Sequence, residues 1–156
     1  MTREGYDGIV SEIERLGHEE RPEVVQEVSD AADLGDRSEN AAYIYGKQRL
    51  RKIDSRIRYL RGKIDDAFPV DLEKQPSSEV IKFGAVVTVE DEDGEEKVYR
   101  LVDKDESDPK RGRISVQSPV GRTLLGKSVG DDATFRIGDR TVELEVIALR
   151  YGAGEP

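Results

Sequence analysis

The chain has 156 residues, with 25 Lys and Arg against 34 Asp and Glu, a formal net charge of −9. That length allows one or two small domains, and the charge argues against coating nucleic acid by bulk attraction. Cysteine is absent, which excludes a disulfide framework, a thiolate zinc site and a cysteine nucleophile. No apolar run approaches the roughly 18 residues that would suggest a membrane span, and the first residues, Met1-Thr2-Arg3-Glu4-Gly5-Tyr6, lack the apolar core of a leader. The expectation is a soluble, cytoplasmic protein with no membrane contact.

In chain order, Tyr6, Ile9, Ile13 and Leu16 come first, spaced 3, 4 and 3 as in a heptad seam. Gly17 and then Arg21-Pro22 interrupt it, so a second helix is expected to start at Pro22, where proline suits a first turn. Its apolar positions are Val24, Val25, Val28, Ala31 and Ala32, and Leu34-Gly35 ends it. A third helix is expected from Asp36 to about Ala67, with Tyr43, Gly46, Leu50, Ile53, Ile57, Leu60 and Ile64 alternating at 3 and 4. About 30 residues at ~1.5 Å each make a rod of roughly 45 Å. The short connection folds it back antiparallel on the segment before it.

Residues 67–79 mix Pro, Ser and charge and read as a linker. The period then falls to 2. Strands are expected at 83–90 and 95–102 around Asp93-Gly94, at 112–117, and at 132–137 and 140–149 around Gly138-Asp139. Between them, Ser118 as N-cap and Pro119 at N1 open a short helix through Leu125. The fold class is α+β: an antiparallel coiled-coil hairpin over 1–75, linker included, then a small β-sheet domain over 80–156 with one short helix.

Charge is unevenly spread. Residues 1–43 carry 4 basic and 12 acidic side chains, whereas 44–63 carry 8 basic against Asp54 alone. The hairpin turn, about 34–43, holds Asp36 and Glu39. Asp-x-x-Glu is a capping box, with Asp36 as N-cap and Glu39 reaching back to its amide. It is also a pair of hard oxygen donors at the end of a rod, suited to an ion such as Mg²⁺ that keeps several waters. Both readings stand on the residues alone.

The motifs Arg21-Pro22-Glu23-Val24, Leu34-Gly35-Asp36-Arg37-Ser38-Glu39-Asn40-Ala41 and Ile53-Asp54-Ser55-Arg56-Ile57-Arg58-Tyr59-Leu60 resemble the Gre family of bacterial transcript-cleavage factors. So do Phe83-Gly84-Ala85, Ile114-Ser115-Val116-Gln117-Ser118-Pro119 and Leu124-Leu125-Gly126-Lys127 in the second half. The likeness is greatest to the GreB branch and covers nearly the whole chain. It implies an FKBP-like second domain and a factor that binds bacterial RNA polymerase and inserts its hairpin into the secondary channel. There it would stimulate cleavage of the backtracked 3′ end of nascent RNA, working as a monomer with no activity of its own.

By the same resemblance Asp36 and Glu39 share a Mg²⁺ with the polymerase, no cofactor being bound by the chain alone, and Arg37, Ser38 and Asn40 are accessory tip residues. Lys47, Arg49, Lys52 and Arg56 form a basic stripe for extruded RNA, with the acidic first helix facing elsewhere. Coiled-coil flanks are also ordinary places for solvated or paired charges. Ser115, Gln117, Ser118 and Pro119 would dock on polymerase, with Gln117 standing where relatives often carry an acid. Two other readings remain: a channel-occupying regulator that does not promote cleavage, and an FKBP-like prolyl isomerase or chaperone, which fold likeness alone does not support.

Overall fold

An almost continuous helical run opens the chain: α1 (Arg3–Arg15), a π-helical turn (Leu16–Glu20) and α2 (Arg21–Ala32). The computed structural model describes residues 1–35 and 40–156. The helix break expected at Gly17 and Pro22 does not occur. Instead the turn ahead of Pro22 opens to an i→i+5 bond, in which the Arg21 N–H donates to the Leu16 carbonyl. A π turn is how a helix accepts one extra residue. The apolar seam explains why one is needed: Ile9, Ile13 and Leu16 are followed by Val24, Val28 and Ala31, and the step from Leu16 to Val24 is a heptad plus one. The turn absorbs that residue and returns Val24, fully buried, to the seam. Val25, which the sequence also suggests for the seam, is 42% exposed and lies off it.

Helix α3 (Ala41–Asp66) is 26 residues long, about 39 Å. It starts later than expected because its N-cap is Asn40, whose side chain accepts the Tyr43 N–H at 3.1 Å. Gly46, Ile53 and Leu60 are its buried residues, and Leu16, Val24, Ile53 and Leu60 form a core flanked by Ile9, Ile13, Val28, Leu50 and Ile57. The contacts Arg21–Asp54, Glu27–Arg49 and Val28–Gly46 run in opposite senses along α2 and α3, the mark of an antiparallel hairpin. At Gly46 the helices come so close that a Cβ would lie 2.7 Å from Val28 Cγ2.

The chain divides into two compact units, Glu4–Phe68 and a second comprising Pro69–Pro156 with Met1–Arg3. The stretch read as a linker, 67–79, is thus split, and most of it belongs to the second unit. Val70 bridges to Thr2, and the Gln75 side-chain amide donates to the Phe83 carbonyl at 2.6 Å.

The second unit is a five-stranded mixed sheet of β1 (Val86–Asp91), β2 (Glu96–Val102), β3 (Arg113–Ser115), β4 (Asp132–Ile137) and β5 (Arg140–Arg150), ordered β3-β2-β1-β5-β4. Only β2–β3 is parallel among these pairs; the others are antiparallel, with a bulge in β1 between Thr88 and Val89. Gly94, at φ 78°, makes the β1–β2 turn in a conformation that favours glycine. Two 3₁₀ turns, Lys104–Glu106 and Pro109–Arg111, carry the chain from β2 to β3. Helix α4 (Pro119–Leu124) packs Leu124 into a core with Ile81, Val87, Val89, Leu101, Ala133 and Val146.

Candidate functional site

Four of the expected tip residues, Asp36, Arg37, Ser38 and Glu39, lie outside the described residues. Their neighbour Asn40 is described and already occupied. Its Oδ1 caps α3, and its Nδ2 donates to the Ala31 carbonyl at 2.5 Å. One side chain therefore starts α3 and satisfies a carbonyl at the end of α2, closing the hairpin. The cap that the sequence offered at Asp36 is made four residues later. An Asp-x-x-Glu capping box is seen in the second unit: Asp103 and Glu106 exchange side-chain to backbone bonds around the first 3₁₀ turn. The sequence carried that signal too, in the same pattern.

The basic stripe divides in two. Arg49 pairs with Glu27 of α2 at 2.9 Å, and Arg56 grips Glu12 of α1 through Nε and an Nη at 2.8 and 3.1 Å. Asp54 is held by Arg21 at 2.8 Å. The idea that the acidic first helix faces away from the stripe is therefore corrected: α1 supplies Glu12 to it, and α2 supplies Glu27. Arg56 holds the Glu12 carboxyl below its ordinary range, and Arg21 does the same for Asp54. Lys47 and Lys52 are exposed on α3, as are Arg51, Arg58 and Arg61. Among the described residues no carboxylate forms an ion pair with these five cations, which makes them the charges available to a phosphate backbone.

Aromatic rings interleave with the cations. The Lys47 ammonium lies 5.5 Å from the Tyr43 ring centroid, the Arg49 guanidinium 6.0 Å from Tyr45 and the Arg56 guanidinium 5.6 Å from Tyr59.

In the second unit the expected docking residues point two ways. Ser115 is buried, and its Oγ accepts the Gln117 N–H at 3.0 Å. Ser118 Oγ donates to the Ser115 carbonyl at 2.6 Å and accepts the Gly121 N–H at 3.1 Å as the N-cap of α4. Both serines build the turn. Gln117 and Pro119 are exposed by it. Gly121 is required here, since a Cβ would collide with the Ser115 carbonyl oxygen.

Sequence reading missed the clasp at the far edge of the sheet. Arg100, 3% exposed, donates to the carbonyls of Gly84, Gly152 and Gly154, while Glu155 bridges Arg111 and Arg113 at 2.7 and 2.9 Å. Burial, together with the like charges of Arg150 and Arg113, lowers the Arg100 pKa. An arginine on the buried end of a strand was the available signal. No group of three or more His, Cys, Asp or Glu among the described residues is placed to hold a metal ion.

Comparison with known proteins covers both units. Residues 1–68 match the family model "Transcription elongation factor, N-terminal", and residues 75–151 match "Transcription elongation factor, GreA/GreB, C-term". The chain is 51% identical to transcription elongation factor GreB of Pasteurella multocida over 151 residues, covering 97% of this chain and 95% of that protein. It is 45% identical to GreB of Yersinia pestis, covering 97% and 88%, and 41% identical to GreA of Trichlorobacter lovleyi, covering 97% and 96%. The solved GreA factor homolog 1 of Thermus thermophilus is 27% identical and covers 96% of this chain and 97% of its own, with a TM-score of 0.43.

Proposed function

The chain belongs to the GreA/GreB family of transcription elongation factors, and we propose that it stimulates Mg²⁺-dependent cleavage of the backtracked 3′ end of nascent RNA inside bacterial RNA polymerase. The observation that carries this reading is an intact Asp36/Glu39 pair in the connection of an antiparallel hairpin whose α3 is capped by Asn40. The α3 cap is supplied by Asn40.

The donor set fits a hard cation: two carboxylates, all oxygen, with no sulfur or imidazole nearby in sequence. Bound between these residues and the polymerase, Mg²⁺ would supply charge neutralisation and a more acidic water. This chain's part is to bring two ionised carboxylates to the reacting phosphate, to hold the hairpin closed through Asn40, and to present cations of α3 to RNA. It has no nuclease activity alone and works as a cytoplasmic monomer. Gln117 and Pro119 carry the docking on polymerase, on a turn held rigid by Ser115 and Ser118.

The test is 3′-labelled RNA in backtracked polymerase complexes, with and without the protein. Release of short 3′ fragments supports the proposal. Slowed elongation without release would instead identify a channel-occupying regulator.

A further inference from the structure

We propose that Tyr59, aided by Tyr45, stacks on the bases of single-stranded RNA while Arg51 and Lys52 take its phosphates. This rests on the reading that the hairpin meets extruded RNA, and it relocates the contact from the acid-paired Arg49 and Arg56 to the face beside them.

Three observations converge on that face. Tyr45, Lys52 and Tyr59 recur at heptad spacing and so share one stripe of α3. The two rings are 63% and 48% exposed, whereas the apolar residues of the seam are buried or half-buried. A shallow depression beside the second ring is lined by Arg51, Lys52, Ser55, Arg56 and Tyr59. Single exposed tyrosines are ordinary on a protein surface. A ring lining one open depression with Arg51 and Lys52 is the combination that single-strand binders use, because every base has a π face and every nucleotide a phosphate.

The ion pairs give Arg49 and Arg56 a different task. Glu12 fixes the Arg56 guanidinium 5.6 Å from the Tyr59 centroid, which orients the ring. Arg49, held by Glu27, lies 6.0 Å from the Tyr45 ring. Fourteen residues of helix separate the tyrosines, about 21 Å, so a short RNA reaches one ring and a longer one reaches both. The occupant is single-stranded RNA of any sequence. Charge supports it: on a chain of net −9, the segment 44–63 holds 8 basic residues against one acid.

The experiment uses the full chain and a fluorescently labelled oligouridylate, with anisotropy read over a range of salt and no polymerase present. Tyr59→Leu should weaken binding about tenfold, the scale of a lost base–aromatic stack, with an unchanged salt slope. Tyr59→Phe should bind like the parent, and Tyr45→Leu should lose less than Tyr59→Leu for short RNA. Lys52→Gln should lower the salt slope by about 0.7, the value for one phosphate contact on a single strand. Thermal unfolding followed by circular dichroism should be alike for all four. If the parent gathers no RNA, or Tyr59→Leu binds as the parent does, stacking is overturned whether or not the protein stimulates cleavage. Loss of polymerase affinity in Tyr59→Leu with unchanged RNA binding would assign the ring to protein docking and also overturn it. RNA binding as expected, with no stimulated cleavage, would leave this contact standing and sink the cleavage reading instead.

Discussion

Asn40 concentrates two jobs in one amide, and replacing it separates them. Asn40→Ala removes the α3 cap and the side-chain donor to the Ala31 carbonyl, which keeps the Leu34 N–H, and should cost about 1–2 kcal/mol in denaturant unfolding. Asn40→Asp keeps the accepting oxygen but sets a carboxylate against that carbonyl, so it should recover only part of the loss. Gly46→Ala weighs two opposed effects: about 1 kcal/mol gained in helix propensity against 1–3 kcal/mol of overpacking on stiff Val28. A net loss of about 1 kcal/mol is expected, and a stabilised variant would show that the helices separate without cost. At this scale the sequence was partly readable. Asp36 and Asn40 are both good caps, and nothing local decides between them. What distinguishes Asn40 is the Ala31 carbonyl, nine residues away, to which its amide donates.

Among elements, the most instructive is the run from Arg3 to Ala32. Its apolar spacing slips by one residue, and the slip coincides with glycine and proline, which ordinarily mark a helix end. The π turn resolves the slip inside a continuous helix, a solution chosen by packing against α3. The strands were easier to foresee, because period-2 alternation and Gly-containing turns are local signals, and β4 spans the predicted residues. Charge partners were hidden for the opposite reason: Glu27 lies 22 residues from Arg49, and Glu12 lies 44 from Arg56.

Those partners give the hairpin a pH dependence. Glu12 and Asp54 are held below their ordinary values of 4.5 and 3.8, chiefly by hydrogen bonds from Arg56 and Arg21. A carboxylate held low in the fold stabilises it while ionised, so the contribution is complete above those ordinary values. It disappears as pH falls through the depressed ones. The thermal stability of the hairpin should therefore fall on acidification below about pH 4.5. Glu12→Gln should lower stability at neutral pH and flatten the acid limb. A variant with the parent's acid limb would show that Glu12–Arg56 is only a solvated surface pair, the usual fate of exposed pairs.

For the molecule as a whole, the two family matches, residues 1–68 and 75–151, fall on the two compact units, the hairpin and the sheet domain. The family was legible in the Leu34–Ala41 and Ile114–Pro119 motifs, and at the second of them the turn demands particular residues, Ser115, Ser118 and Gly121. That Ser115 and Ser118 build the turn was not legible, since serines that build a turn and exposed serines look alike until their hydrogen bonds are traced. The central claim is that Asp36 and Glu39 act chemically on RNA held in the polymerase. It is tested most directly by 3′-RNA release from backtracked complexes with the parent, Asp36→Ala and Glu39→Ala, alongside each protein's affinity for polymerase and its helix content. The account predicts that each variant loses about 10²-fold or more in cleavage rate, the scale of removing one electrostatic contact to a reacting group, with affinity and helicity unchanged. Two variants that cleave like the parent would contradict it.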